Sequence, residues 1–415
     1  MTSASSVGMY FVLLAITGGL ADPSGGLVDL PVLYLLKDGL GLNPSVVAAF
    51  GAVAASPRHL GFLFGLMRDR WWPSRAGDRL SIRAVAVVVT LCFVWLAWTP
   101  LSFAGLLAAV LCIAIAFQIF DTSSQALVTV VAQRRLMTGR LSALMEVADN
   151  GVSMVAMLAG GWLVTHARPP VIFMLAAATT AVIVLQSYWA PKAVFAVEPH
   201  TRSEEAPGFR SMGRLVAHPM FWPTLAVLAL YNFSPGWGTP YFYFLTSHLG
   251  LSGEAFGASR AATYAAGAAA TVVYGFLCVR FSLKQLLWWA VALNVFPGFL
   301  FLIITDPVQA VAVSALTGFL TGFGNIAVFD LLMRSCPRHM EGTASMVGFS
   351  VFGIAGTVGD LLGASAYQSV GFLPCLVLDA VATLCIVPLL AKLPASVVAG
   401  KDGDVAGTSV GRERD

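Results

Sequence analysis

Charge is what this sequence has least of. Asp, Glu, Lys and Arg make up 11% of its 415 residues, against about 25% in soluble domains. A water-facing surface is not built at that density, which excludes a soluble multidomain enzyme and a disordered chain. The net charge of +3 is too small for a surface that tracks phosphates, so nucleic acid is excluded as a partner. Cysteine is also scarce. Cys92, Cys112, Cys278, Cys336, Cys375 and Cys385 fall in apolar stretches or beside basic residues, so free, packed thiols are expected and no disulfide framework. Missing too are a Walker loop, a Gly-x-Ser-x-Gly elbow, a His/Asp/Glu metal cluster and a soluble catalytic stretch. Their absence argues against an enzyme and a nucleotide-driven pump, and leaves no metal or cofactor to expect. Residues 1–7 lack a basic start and the first apolar run is full length, so no cleavable signal peptide is expected.

What the chain has is apolar length. Hydrophobic residues make up 58% and the mean hydropathy is +0.81. A bilayer core of ~30 Å takes roughly 20 apolar residues per helix. On that measure twelve membrane helices are expected, over 8–36, 44–67, 82–99, 102–133, 139–165, 170–190, 218–248, 253–281, 283–305, 307–334, 342–369 and 372–392. The loops after even-numbered helices, with the helix ends that flank them, carry sixteen Lys and Arg; those on the other side carry only Lys37 and Arg168. This imbalance predicts a multi-pass protein of the cell (inner or plasma) membrane with both termini in the cytoplasm.

The two halves read alike. Pro31, Tyr34, Leu36, Leu40, Gly41 and Leu42 recur as Pro240, Tyr243, Leu245, Leu249, Gly250 and Leu251, six identities in twelve positions at an offset of 209. A second match sets Gly139 and Ser142 against Gly342 and Ser345. With six helices each, the halves share one orientation, the parallel repeat of carriers whose site lies between two bundles. The expected organisation is an all-α membrane protein of two parallel six-helix bundles. They span 1–190 and 218–392, with a polar cytoplasmic linker at 191–217 and a disordered tail at 393–415.

In these residues the chain resembles the major facilitator superfamily, and within it the folate–biopterin transporter family. Gly65-Leu-Met-Arg68-Asp69-Arg70 is similar to the superfamily's signature after the second helix. The finer likeness lies in Ser56-Pro57, in Phe233-Ser-Pro-Gly-Trp-Gly-Thr-Pro240 with Leu249 to Ser252 and Phe256-Gly257 behind it, and in Cys336-Pro337 through Glu341. The resemblance implies alternating access, a folate- or pterin-like substrate, and a conformational gate at Asp69 and Arg70 with Glu341 as its counterpart. The sequence departs from the family twice. A Lys-Pro pair in the second helix reads Gly61-Phe62, with Arg58 upstream, and paired acids in the fourth read Asp121 and Gln125.

Rare charges inside membrane helices mark function, since each costs roughly 3 kcal/mol at mid-bilayer. Asp22, Arg58, Asp121 and Asp149 fall near the centre, Asp29, Asp360 and Asp379 toward the outer third, and Glu146 and Asp330 toward the inner third. Asp121, roughly 20 Å from Arg134 along the helix, is the first candidate for substrate contact and proton coupling, because desolvation suits a carboxyl to reversible protonation. A hydrogen bond to Asp149 or Ser153 is its structural alternative. Asp22 and Asp29 share a helix face and flank Pro23-Ser-Gly-Gly26; Asn232 through Pro240 interrupts the seventh helix in the matching place. Paired broken helices point to a carrier's site, which makes Asp22 and Asp29 proton-coupling candidates and Asn232 a substrate contact. Arg58 is either a clamp for an anion or the partner of Asp22 or Asp29, with His59 a packed polar neighbour. Trp237 and Tyr241 offer rings to a flat heterocycle or belong to an interface, and Asn325 sits at the place in the tenth helix that Asp121 holds in the fourth. The expected protein is a proton-coupled secondary carrier of a small organic solute, working as a monomer in the lipid bilayer. The alternative is a proton-driven exporter of drug-like solutes. A non-transporting sensor on the same fold fits the intramembrane charges less well.

Overall fold

A computed structural model describes residues 2–64, 67, 75–134, 138–189, 221–335, 341–393 and 398. Fifteen α-helices and three short π or 3-10 turns make up its secondary structure among the described residues. The first half holds α1 (Thr2–Ala21), α2 (Asp29–Tyr34), α3 (Pro44–His59), α4 (Arg75–Trp98), α5 (Phe103–Arg134), α6 (Thr138–His166) and α7 (Pro169–Trp189). The second holds α8 (Phe221–Asn232), α9 (Thr239–Tyr243), α10 (Gly253–Leu277), α11 (Leu283–Asn294), α12 (Pro307–Ser335), α13 (Glu341–Val370), α14 (Phe372–Leu384) and α15 (Ile386–Lys392). With α1 and α2, α8 and α9, and α14 and α15 each read as one interrupted pass, the described helices are consistent with the twelve expected.

The passes at 8–36 and 218–248 are each broken, at Pro23-Ser-Gly-Gly26 and between Asn232 and Thr239, where the sequence leads one to expect interruption. Pro23 has no N–H to donate and Gly25 takes φ 94°, a left-handed conformation open to glycine. In the second half Pro235 and Gly238, at φ 72°, do the same. The matching stretches then fold identically. Leu35–Gly39 and Phe244–His248 are both π turns, 209 residues apart, and Asn43 and Ser252, also 209 apart, cap the helices that follow.

Among the described residues, eight segments are long and apolar enough to cross a membrane by length and composition. The others are the broken first and seventh passes with α6 and α10, and these last two pack on one another. The halves meet through α3 against α13 and α6 against α10, pairings that exchange under the repeat. At the second contact the backbones touch: a Cβ on Gly257 would lie 2.6 Å from the Met157 carbonyl and 2.9 Å from Gly161 Cα. Glycine is required there by sterics.

The apolar core is not divided as the chain is. One cluster runs from Tyr10, Phe93 and Phe173 of the first half into Phe242, Phe256, Phe301 and Phe372 of the second. A separate one holds the rest of the second half, from Phe221 through Leu283 to Leu390. The residues of the shared cluster from the second half lie at the end away from the basic loops, so the halves are fused there.

The five described cysteines are free, with Cys92 Sγ 3.7 Å from Cys112 Sγ. Linker positions 191–217 and Asp69 and Arg70 of the expected gate lie outside the described residues, as does the tail beyond 393 apart from 398. Glu341 opens α13, and nothing is described of its side chain.

Candidate functional site

The first break gathers charge from four passes. With the helix stopped at Ala21, the Asp22 carboxylate accepts from the Ser24 amide at 2.8 Å and so caps the exposed backbone of the turn. The same carboxylate receives Arg58 Nη2 at 3.0 and 3.2 Å. Arg58 stands where α3 approaches its end, one residue past Pro57. Of the two alternatives left open for it, the ion pair with Asp22 forms, and a clamp is not thereby lost. Only Nη2 is engaged among the described residues, and the Arg58 side chain is 56% exposed against 21% for Asp22. The guanidinium thus keeps free donors facing open space deep in the fold.

Asp121 joins from α5. It is exposed and near enough for its charge to act on Arg58, as do Asp29 and Tyr264. One turn back along α5, Gln118 reaches the second pass, and a Cβ on Gly61 would sit 3.1 Å from its Nε2. Asp29 begins α2, where a carboxylate complements the helix N-terminus.

Two residues of this cluster were not singled out from the sequence. Arg260 on α10 lies in the field of Asp29, Tyr264 and Tyr241, and its guanidinium carbon stands 5.7 Å from the Tyr264 ring centroid. Tyr264 faces the first break, its hydroxyl 3.7 Å from where a Gly25 Cβ would be. Cations from both halves therefore converge on the aspartates of the first pass. The available signal was that Arg58 and Arg260 are the only basic residues placed more than two residues from the ends of the expected spans.

The second break is built differently. Asp360 of α13 accepts from the Thr239 amide at 2.7 Å and the Thr239 hydroxyl at 2.9 Å, and Asp379 of α14 accepts from Ser234 Oγ at 2.9 Å. Asn232 donates to the Phe352 carbonyl at 2.7 Å. Glycines at 356, 359 and 363 let α13 approach closely; a Cβ on Gly363 would collide with the Pro235 carbonyl. Tyr241 is 1% exposed, packed on Trp237, Phe256 and Phe301, and its hydroxyl meets Ser314 Oγ at 2.7 Å. Trp237 is half-buried over the same rings, edge-on to Phe301. Asn325 is half-buried in α12. In this conformation Arg58, Asp22, Asp29 and Asp121 are brought together, while Asn232 and Tyr241 are held by protein partners.

His59 meets Thr357 of α13 at 3.1 Å, a packed polar contact between halves. Asp330 is tied to Arg334 at 2.8 Å and to the Tyr274 hydroxyl at 2.8 Å. A cavity of about 650 Å³ lies between α4 and α5. Its lining of Leu80, Val88, Leu111 and Ile115 with Ser81 and Cys112 offers almost nothing to recognise a polar solute.

The family model of the Major Facilitator Superfamily matches residues 14–359. The folate-biopterin transporter of Synechocystis sp. is 27% identical over 405 residues, covering 91% of this chain and 80% of the relative. Among solved structures, a D-xylose-proton symporter aligns with a TM-score of 0.69 at 11% identity, over 95% of this chain and 98% of the other. The nucleoside transporter NupG, in a mutant form, aligns with a TM-score of 0.69 at 13% identity, over 94% and 99%. At those identities the structural likeness speaks for the fold.

Proposed function

The chain belongs to the Major Facilitator Superfamily and is a multi-pass membrane transporter of small solutes, and from that premise we propose a proton-coupled carrier of an anionic, folate- or pterin-like solute. The observation that carries this reading is the Asp22–Arg58 pair at the first break, with Arg58 more than half exposed and Asp121 close by. A guanidinium held by one nitrogen presents its remaining N–H donors to a carboxylate, which pairs with it in two parallel bonds. Proton uptake by Asp121, Asp22 or Asp29 changes the charge balance around Arg58, and that is the coupling step. The solute enters between the halves, so that Arg260 and Tyr264 contact it from the second bundle. Asn232, Trp237, Tyr241 and Asn325 serve the solute after rearrangement of the seventh and tenth passes.

The likeness to the Synechocystis folate-biopterin transporter supports the pterin class. Arg58 lies three residues before Gly61, where the family resemblance leads one to expect a lysine. The bundles at 1–190 and 218–392, joined through a linker at 191–217, form one complete pathway, so a single chain suffices. The basic loops support a cytoplasmic position for that linker, both termini and the gate at Asp69, Arg70 and Glu341. Proteoliposomes given an inward proton gradient accumulate radiolabelled folate or biopterin on this reading. No gradient-dependent uptake of either, with outward movement of a drug-like cation in its place, transfers the assignment to a proton-driven exporter.

A further inference from the structure

We infer that Lys37 and Thr246 form a latch on the repeat axis that closes the end of the carrier away from its basic loops. The two residues are 209 apart, the repeat offset, and occupy corresponding positions in the two π turns. Equivalent positions approach each other only where the axis relating the halves passes between them. Lys37 Nζ donates to Thr246 Oγ1 at 3.0 Å across that axis. Thr246 in turn donates its hydroxyl proton to the Phe242 carbonyl at 2.6 Å, leaving its lone pairs to the ammonium.

The surroundings suit a cation. Rings from both halves enclose Nζ, with centroids at 5.7 Å for Tyr34, 5.6 Å for Phe242 and 5.9 Å for Tyr243, within cation–π range. The Lys37 side chain is 14% exposed, and its neighbour Asp38, 3.6 Å away, is 58% exposed. Two further ties cross between halves beside it: Tyr243 donates to the Leu42 carbonyl at 2.6 Å and Ser45 to Gln368 at 2.6 Å. The hydrophobic core runs on without interruption through this region.

The symmetry explains the choice of residues. Two lysines facing across a two-fold axis repel, and two threonines give a bond between neutral groups, about half as strong as a charge-assisted one. One of each gives a charge-assisted bond where the halves meet. The bond also releases cleanly. When the halves part, Lys37 returns to water beside Asp38, and Thr246 keeps its bond to Phe242. No polar group is left buried and unpaired, so opening avoids the penalty that makes a buried ion pair permanent.

The inference rests on the alternating-access reading, but its test needs no transported solute. Ser45→Cys and Gln368→Cys are introduced into the full chain in lipid nanodiscs, with a protease site inserted in the 191–217 linker. After cleavage, only a disulfide between the new cysteines holds the halves together on a non-reducing gel, and its rate of formation reports closure. Lys37→Met and Thr246→Val each slow cross-linking about three- to tenfold, Lys37→Arg slows it less, and the double variant is no slower than the worse single one. Rates within twofold of the parent for both single variants, or faster, overturn the latch. Gel filtration identifies a misfolded Lys37→Met; Thr246→Val, which keeps the side-chain shape, then decides alone. Latch-dependent cross-linking without any gradient-driven uptake sinks the solute assignment and leaves the latch standing. Uptake with latch-independent cross-linking does the reverse.

Discussion

The two broken passes occupy matching places in the two halves and are stabilised by opposite means. The first is held by an ion pair, Asp22 with Arg58, whose cation is more than half exposed. The second is held by neutral donors, Thr239 and Ser234, on carboxylates supplied by α13 and α14. Both solve one problem, backbone groups freed inside a membrane protein, yet only the first leaves donors unspent. A charge that is accessible and partly paired can exchange partners with a solute. A carboxylate bound to backbone or hydroxyl donors of the turn beside it fixes that turn. On the proposed reading the repeat divides its labour, with chemistry at the first break and scaffolding at the second, and Arg260 and Tyr264 reaching across from the second bundle to the first.

This contrast is open to attack, most strongly at Arg58. Arg58→Gln lowers gradient-driven uptake in proteoliposomes about a hundredfold or more, and Arg58→Lys recovers part of it. Removing one member of a buried pair costs about 3–5 kcal/mol; the half-exposed pair here costs less, after discounting for solvent screening. Combining Arg58→Gln with Asp22→Asn therefore restores the thermal melting point but not uptake. Recovery of uptake in the double variant places the pair among structural ties and ends the contrast.

Next in size is Asp121→Asn, which abolishes accumulation against a gradient while counterflow of labelled solute continues. Wild-type accumulation in that variant removes Asp121 from the coupling step. At the second break, Asp360→Ala takes acceptors from two bonds that are worth about 1.5–3 kcal/mol each when one partner is charged. The melting point falls by several degrees, and uptake per folded molecule stays within about threefold of wild type. A variant with an unchanged melting point and no uptake makes the second break a transport site as well. The smallest effect belongs to the contact between halves. Gly257→Ala forces a methyl to within 2.6 Å of the Met157 carbonyl, an overpacking cost of about 1–3 kcal/mol, read as a modest loss of melting point with reduced turnover.

Much of the fold was legible in the chain. Apolar length marked the passes, basic residues marked one face, and the text from Pro31 to Leu42 repeated at Pro240 to Leu251 foretold two identical π turns. Pro23 and Pro235, each with glycines behind it, signalled the breaks. These are local signals, because a helix in lipid must satisfy its backbone within its own segment. The site was legible only in part. Arg58 read equally as clamp or salt bridge, since its partner lies 36 residues away, and spacing along separate helices does not state which faces meet. Arg260 was not singled out, and Asp360 and Asp379 read as possible functional carboxylates, until Asp29, Thr239 and Ser234 were found opposite them.

Composition and periodicity alone decide that this protein lives in a membrane, how its passes run and that its halves are copies, because the bilayer taxes every exposed polar group along the chain. Tertiary packing decides which charges neutralise one another, which carboxylates serve only to hold a turn, and that Lys37 meets its own repeat partner Thr246. Those outcomes depend on contacts between segments dozens to hundreds of residues apart, where an ångström of approach at Gly161 or Gly257 settles what meets what.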